Sequence, residues 1–510
     1  MERKENNRVV NIINFVRGLE PRCEVDLMTP VVEEIRLNKK YGFENTFLLQ
    51  YDAMCLEEFV ELFRREKDEH MELGIWIELA RPLVESNGIE WTGRWDWDWY
   101  VNPGFLPAYT REQKEKIIDA IMEKFKSIFG YYPKSAGSWI LDSDSIAYMK
   151  EKYQMQAFCI CREQWGTDGY THWGGYYNGP YFPSKNHILH PAQTAEGQIH
   201  VPVFRLLGAD PIYCYYENLQ GKYDGNMLGV VTLEPTGFCG QNRKWVEWYF
   251  KNLTEQEDMG YSYTQTGQEN PFGWEAISKG LPMQMEYLAT LQKEGKIRIE
   301  KLGDSGKYFS EMYELTPPTV YSALDDWAEG ERQSVWYSCR YYRANVYCDG
   351  KEVWIRDIHM FDENYRDNYL DEPCREKSAI YDSLPVMDGL LFSDDDNRAG
   401  IYFGAGKVKC TERHEEQFHV VLEAEGKEIR VIMEENGITV RDLKSLELPC
   451  IWKVSCQEIL EVQENCINYS HNGFGFRLEL EAGKIEKDRA GGRKIVSDEG
   501  YILLKMKSGC

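Results

Sequence analysis

Ser135–Arg162 reads SAGSWILDSDSIAYMKEKYQMQAFCICR, and it runs strand, helix, strand without a break. Ser135 to Leu141 is apolar enough for a buried strand. Asp142-Ser143-Asp144 then supplies the side-chain oxygens that open a helix. Ile146 to Tyr153 carries apolar residues at helical spacing, and Ala157 to Cys161 is a second short apolar run. Two strands joined through a helix lie parallel, and a parallel barrel keeps its chemistry at the C-terminal ends of its strands. Asp142 stands at such an end.

The same grammar extends in both directions. Upstream, Arg8–Val16, Thr46–Gln50 and Leu73–Leu79 read as strands, with helices at Pro30–Tyr41, Leu56–Asp68 and Arg111–Phe129. Downstream, Glu163–Gln198 is rich in Gly, Tyr and Trp without periodicity, and a loop that long predicts a functional segment or lid. Val201–Leu207, Leu228–Leu233, Tyr261–Thr266 and Ile297–Leu302 resume the strands, with helices at Lys244–Leu253 and from Met283 to Glu294. From about Trp336 short alternating segments take over, which predicts an all-β sandwich. The expected division is a (β/α) barrel over residues 1–330 and a β-sandwich over 331–510. WYSCRYYR (Trp336–Arg343) is expected to tie the two together.

A net charge of −25 over 510 residues excludes nucleic acid and anionic membranes as partners, because both demand a basic face. Aromatics make up 14% of the chain, with 15 Trp and 33 Tyr, which fits stacking on sugar C–H faces as well as a large aromatic core. The 14 Cys form no CxxC pair, and no long apolar run follows MERKENNRVV or occurs elsewhere. Reduced thiols and a cytoplasmic location are the expectation. There is no phosphate-cradling glycine loop and no GxSxG elbow, so no cofactor is expected. Oligomeric state is open, a homo-oligomer included.

Asp52, Glu78, Asp142 and Glu234 each follow a strand. Any one of them reads equally as a helix cap, but four on parallel strands converge on one mouth if the sheet closes. Glycoside hydrolysis needs one ionised and one protonated carboxyl group across the scissile bond. WTGRWDWDWY (Trp91–Tyr100), with Trp95 and Asp96, and the Trp165–Tyr181 stretch are candidate sugar platforms, and Trp139 lies beside Asp142. Arg205 is a candidate substrate contact or an ion-pair partner of Asp210. The rival chemistry is a metal held by His187-x-x-His190 with Asp52, in a chain of 9 His. The expected set contains no metal.

GSWILD (Gly137–Asp142) resembles the nucleophile motif of family-57 glycoside hydrolases. VTLEPTGFCGQNRK (Val231–Lys244) with the Trp-containing helix after it resembles that family's second catalytic segment, and LGIWIEL its third strand. The resemblance implies Asp142 as nucleophile and Glu234 as general acid/base in a retaining glycosidase. It also implies the incomplete (β/α)7 barrel shared with polysaccharide deacetylases and family-38 mannosidases, with a β-sandwich behind it. This chain departs from the family in carrying Asp for Glu at the nucleophile, Glu for Asp at the acid, and Asn14 and Arg17 where the first strand has histidines. INFVRGLEPR and GQEN are similar to segments of a bacterial barrel-plus-β-domain group from the gut. That likeness adds Glu20 and Glu269 to the candidate substrate-binding residues. A metal-dependent deacetylase and a non-catalytic carbohydrate-binding protein are the alternative expectations.

Overall fold

The computed structural model describes residues 6–215, 231–393, 397–443, 447–488 and 492–508. Part of the expected Leu228–Leu233 strand falls outside them. The N-terminal part is a parallel, nearly closed barrel. Its first strands are β1 (Arg8–Val16), β2 (Asn45–Leu49), β3 (Met71–Trp76), β4 (Ser135–Gly137) and β5 (Ala157–Ile160). A hairpin, β6 (Gln164–Thr167) and β7 (Tyr170–Trp173), precedes β8 (Val203–Arg205), β9 (Ser262–Thr266) and β10 (Arg298–Glu300). The ladder runs β1-β2-β3-β4-β5-β8, while β9 and β10 also pair β1. Registers such as Ile13↔Thr46 and Val9↔Tyr263 keep every neighbour parallel. Eight of the nine β1 residues are buried, as expected for a strand covered on both faces.

Among the described residues β8 and β9 share no ladder. Gln265 spans that seam with its side chain: the Leu207 N–H donates to Oε1 at 2.9 Å, and Nε2 donates to the Ile13 carbonyl at 3.3 Å. The expected strands at Ser135–Leu141 and Leu73–Leu79 both stop early, at Gly137 and Trp76. Just past these ends, the Ile77 N–H donates to the Gly137 carbonyl at 2.7 Å.

An all-β module follows, a sixteen-stranded antiparallel sheet that opens with β11 (Thr319–Ala323), β12 (Gln333–Ser338), β13 (Tyr342–Cys348) and β14 (Glu352–Met360). Trp336 lies flat on Tyr177, with ring centres 4.3 Å apart. Buried Arg343 reaches Glu163 of the barrel at 2.5 Å and forks onto Asp357 at 2.9 and 3.0 Å. Trp173 Nε1 donates to Asp388 at 2.6 Å, and Asp388 also meets His359 at 3.0 Å.

The stretch read as an unstructured lid is partly ordered. Its β6–β7 hairpin turns at Asp168-Gly169, both left-handed, and β7 pairs in parallel with β15 (Ala379–Asp382), register Ala379↔Tyr170 to Asp382↔Trp173. That partner strand lies some two hundred residues away in sequence, so local periodicity could not announce it.

Candidate active site at the barrel mouth

Two sequence segments meet first. Phe15 N–H donates to the Gln268 carbonyl at 3.2 Å, and Gln268 N–H to Asn14 Oδ1 at 3.3 Å. Asn270 receives the Arg17 N–H at 2.9 Å and returns a bond to the Arg17 carbonyl at 2.9 Å. Gly267 permits this approach, because a Cβ there would stand 2.1 Å from the Ile13 oxygen and its φ is +110°. INFVR and GQEN therefore form one structural unit that fixes the Arg17 backbone from both sides.

Arg17 is almost wholly buried, and its guanidinium gathers the carboxylates. Nε and Nη2 fork onto Glu78 at 2.9 and 3.0 Å, Nη2 also meets Glu269 Oε2 at 2.9 Å, and Nη1 lies 3.6 Å from Glu20. Burial alone would lower the Arg17 pKa, but Glu269, Glu78 and Glu20 together raise it, so its charge is permanent. Burial pushes Glu78 up to about 7 against the pull of Arg17, with Glu269 adding to the rise. Burial raises Glu269 as well, again opposed by Arg17. Glu20 goes the other way: its burial is outweighed by Arg22, whose Nε and Nη2 donate at 2.8 and 2.6 Å. Two neighbouring carboxyl groups are thus easy to protonate and a third is held ionised.

The wall beside them is a ladder of alternating cations and rings. Arg17 lies 4.3 Å from the Trp97 ring centre, Arg22 spans Trp97 and Trp99 at 5.0 and 5.3 Å, and Arg94 caps Trp99 at 4.3 Å. Trp95 stacks on Trp99 at 5.2 Å and is 40% exposed, so the ladder climbs from the buried cluster to solvent. Asp168 at the hairpin tip stands 3.7 Å from Arg22 and closes the rim. On the barrel floor Trp139 packs edge to face with Phe15 and with Trp76, the latter at 5.0 Å, while Phe15 and Trp76 are tilted at 4.2 Å. The buried indole N–H groups of Trp76, Trp97 and Trp139 have no hydrogen-bond partner among the described residues. Buried donors of that kind call for water or a ligand.

Of the expected residues, Glu20, Glu78 and Glu269 belong to the cluster. Glu234 joins it through Gln268, whose Nε2 approaches Oε1 at 3.5 Å, and it also accepts from Thr232 at 3.0 Å. Asp52 is a brace: it accepts from the backbone of Gly18, Ala53 and Leu19, and burial lifts it to about 6. Gly18 packs so closely on it that a Cβ would sit 2.9 Å from the Ala53 nitrogen. Trp139 is in the floor and Trp95 on the rim, while Asp96 pairs outside with Arg81 at 3.1 Å. Trp165, 44% exposed, sits on β6. Arg205 is buried and donates to the Cys161 carbonyl at 2.9 Å. Its expected partner Asp210 instead accepts from the indoles of Trp245 and Trp327 at 2.7 and 3.0 Å.

Two further sets of expected residues lie outside the Arg17 cluster. Asp142, the expected nucleophile, is fully buried as the cap of the helix Ser143–Tyr153. It accepts from the Ser145 N–H and hydroxyl, both at 2.9 Å, and pairs with buried Lys114 at 3.2 Å. Because β4 stops short, the side chain of Asp142 caps the helix rather than joining the Arg17 cluster. The rival His187–His190–Asp52 donor set is not assembled. The two imidazoles, 4.5 Å apart, are buried against Tyr365, and burial drives His190 down to about 4. Asp52 accepts from the backbone of Gly18, Leu19 and Ala53, and among the described residues it forms no metal-ligating group with either histidine, so these residues do not fit a shared metal.

Sequence reading gave no site role to Arg17, Arg22, Asp168 or Gln268, and it took Trp97 and Trp99 only as part of the Trp91–Tyr100 platform. The presence of Arg17 in a motif that also contained Glu20 was the one available signal.

Among solved structures, a candidate glycoside hydrolase/deacetylase from Parabacteroides distasonis aligns with TM-score 0.52 at 15% identity, covering 75% of this chain and 92% of that one. A candidate polysaccharide deacetylase from Mycobacterium smegmatis aligns with TM-score 0.36 at 11% identity, covering 62% and 93%. The first likeness is one of fold: the parallel barrel is shared by the two chains. A search of curated proteins finds no match. A family model matches residues 35–289, half of the chain, and on that ground the chain belongs to the family described as Domain of Unknown Function with solved-structure structure (DUF3863).

Proposed function

We propose that this protein is a carbohydrate-acting hydrolase that cleaves glycosidic bonds with Glu78 and Glu269, on a glycan that stacks along the Trp97–Trp99–Trp95 wall. One observation carries the reading. Both carboxylates contact the same nitrogen of Arg17, at 3.0 and 2.9 Å, so their nearest oxygens stand no more than roughly 6 Å apart. Retaining glycosidases place their carboxyl groups about 5–5.5 Å apart, and inverting ones further. Glu78, the more buried and the easier to protonate, is the acid that gives its proton to the leaving oxygen. Glu269, whose side chain is a tenth exposed, meets the anomeric carbon. The proton returns when Glu78 activates water in the second step. Glu234 and Asp168 border the cluster and hydrogen-bond sugar hydroxyls.

The test incubates the full-length protein with panels of aryl glycosides and natural oligosaccharides and reads new reducing ends. Glu269→Gln is expected to abolish turnover while retaining glycan binding. Glycan binding by the wild type with no product marks a non-catalytic lectin and refutes the reading. Release of acetate in place of reducing ends refutes it in favour of deacetylation.

A further inference from the structure

Far from the mouth, the hairpin of strands Gly400–His414 and Gln417–Ala424 carries Glu412, His414 and His419. Antiparallel register places Glu412 opposite His419 and His414 opposite Gln417. Residues two apart share a face of a strand, and directly opposed residues share it too. The two imidazoles and the carboxylate therefore all project from one side of the ladder. Their rings and oxygens are already close: His414 Nε2 is 3.1 Å from Glu412 Oε2, and the His414 and His419 rings are centred 4.3 Å apart. One donor atom from each residue falls within 4.8 Å of the others.

We propose that Glu412, His414 and His419 bind a divalent transition-metal ion of the Zn2+ type, in a surface site that clasps the end of this hairpin. Two neutral imidazoles and one carboxylate suit a borderline-soft ion, and three protein ligands leave a position open for water. With Zn–N and Zn–O bonds near 2.0–2.2 Å, tetrahedral donors stand about 3.3 Å apart, so the present spread closes by side-chain rotations of roughly 1 Å. A further observation points to a ligand. His419 Nδ1 is a buried ring nitrogen with no hydrogen-bond partner among the described residues.

Arg430 is the competitor, since its Nη1 sits 3.2 Å from Glu412 Oε2. It has somewhere to go: its Nη2 already holds Glu428 at 3.1 Å. The site thus exchanges one salt bridge for a metal bond without stranding a charge.

The experiment uses chelator-treated full-length protein, titrated with Zn2+ by calorimetry, with ethoxyformylation of His414 and His419 followed by mass spectrometry. One site is expected, and Zn2+ protects both histidines from modification. His414→Ala and His419→Ala each weaken it by at least tenfold, the loss that even outer-sphere partners of a metal ligand cause. Arg430→Gln tightens it by removing the competing cation. Three results each overturn the proposal: no measurable Zn2+ binding, a titration unmoved by either histidine substitution, or histidines that stay reactive when Zn2+ is saturating.

Discussion

Replacing Glu78 by Gln removes one titrating proton from the centre of the site while keeping the side chain's shape. In the folded chain burial holds the Glu78 carboxyl at about 7, against 4.5 for an ordinary glutamate. Between those values the folded state binds a proton that the unfolded chain has released, so stability falls as pH rises. The slope is about 1.4 kcal/mol per pH unit, and over the whole interval the loss approaches ~3 kcal/mol. Below pH 4.5 both states are protonated, and above about 7 both are ionised, so the effect is flat on either side. Glu78→Gln lacks this term. Parallel urea denaturation of wild type and variant from pH 4 to pH 9 should therefore show their stability difference moving in the variant's favour by roughly 3 kcal/mol, all of it between the two plateaus. A difference that stays constant across that range would mean that Arg17 keeps Glu78 ionised throughout. The carboxyl could then not serve as a proton donor, and the assigned acid would have to be another residue.

Asp142→Asn should lower the melting temperature markedly, because it leaves buried Lys114 without its anion, a loss of about 3–5 kcal/mol. Turnover per folded molecule should persist, and lost turnover at full stability would return Asp142 to the chemistry. Arg343→Met strips a cation from Glu163 and Asp357 together and should cost about 3–5 kcal/mol by thermal unfolding; an unchanged melting curve would show the network to be dispensable. Gly18→Ala places a methyl 2.8 Å from Leu56 and 2.9 Å from the Ala53 nitrogen, so the loop carrying Glu20 must shift at a cost of about 1–3 kcal/mol. Limited proteolysis near Arg22 should report that shift, and a wild-type cleavage pattern would contradict it.

The barrel was readable because its strands are buried on both faces and so appear as apolar runs, as in VVNIINFV and TFLLQ. The all-β module was readable from its period of two. The acids at strand ends were visible as well, but their roles were not. Asp142 and Glu78 look alike in sequence, and only the length of the preceding strand decides which caps a helix and which enters the mouth. His187 and His190 showed metal-like spacing, yet their surroundings are Tyr365 and Phe361, supplied from far along the chain. WTGRWDWDWY announced an aromatic wall without indicating that Trp97 turns inward on Arg17 and Trp95 outward. The role of Arg17 escaped notice because two of its three carboxylate partners, Glu78 and Glu269, come from distant segments.

Strand β15 completes the ladder beneath the Asp168 tip, and this orders events on the ribosome. When Ile299 and its neighbours emerge, the barrel has all its parallel strands, but β7 still presents bare amide groups to water. The strand that flanks the tip beside Arg22 comes only with Ala379–Asp382, about eighty residues later in the chain. The mouth is thus built from segments on both sides of the domain boundary, and the barrel's last strand does not complete it.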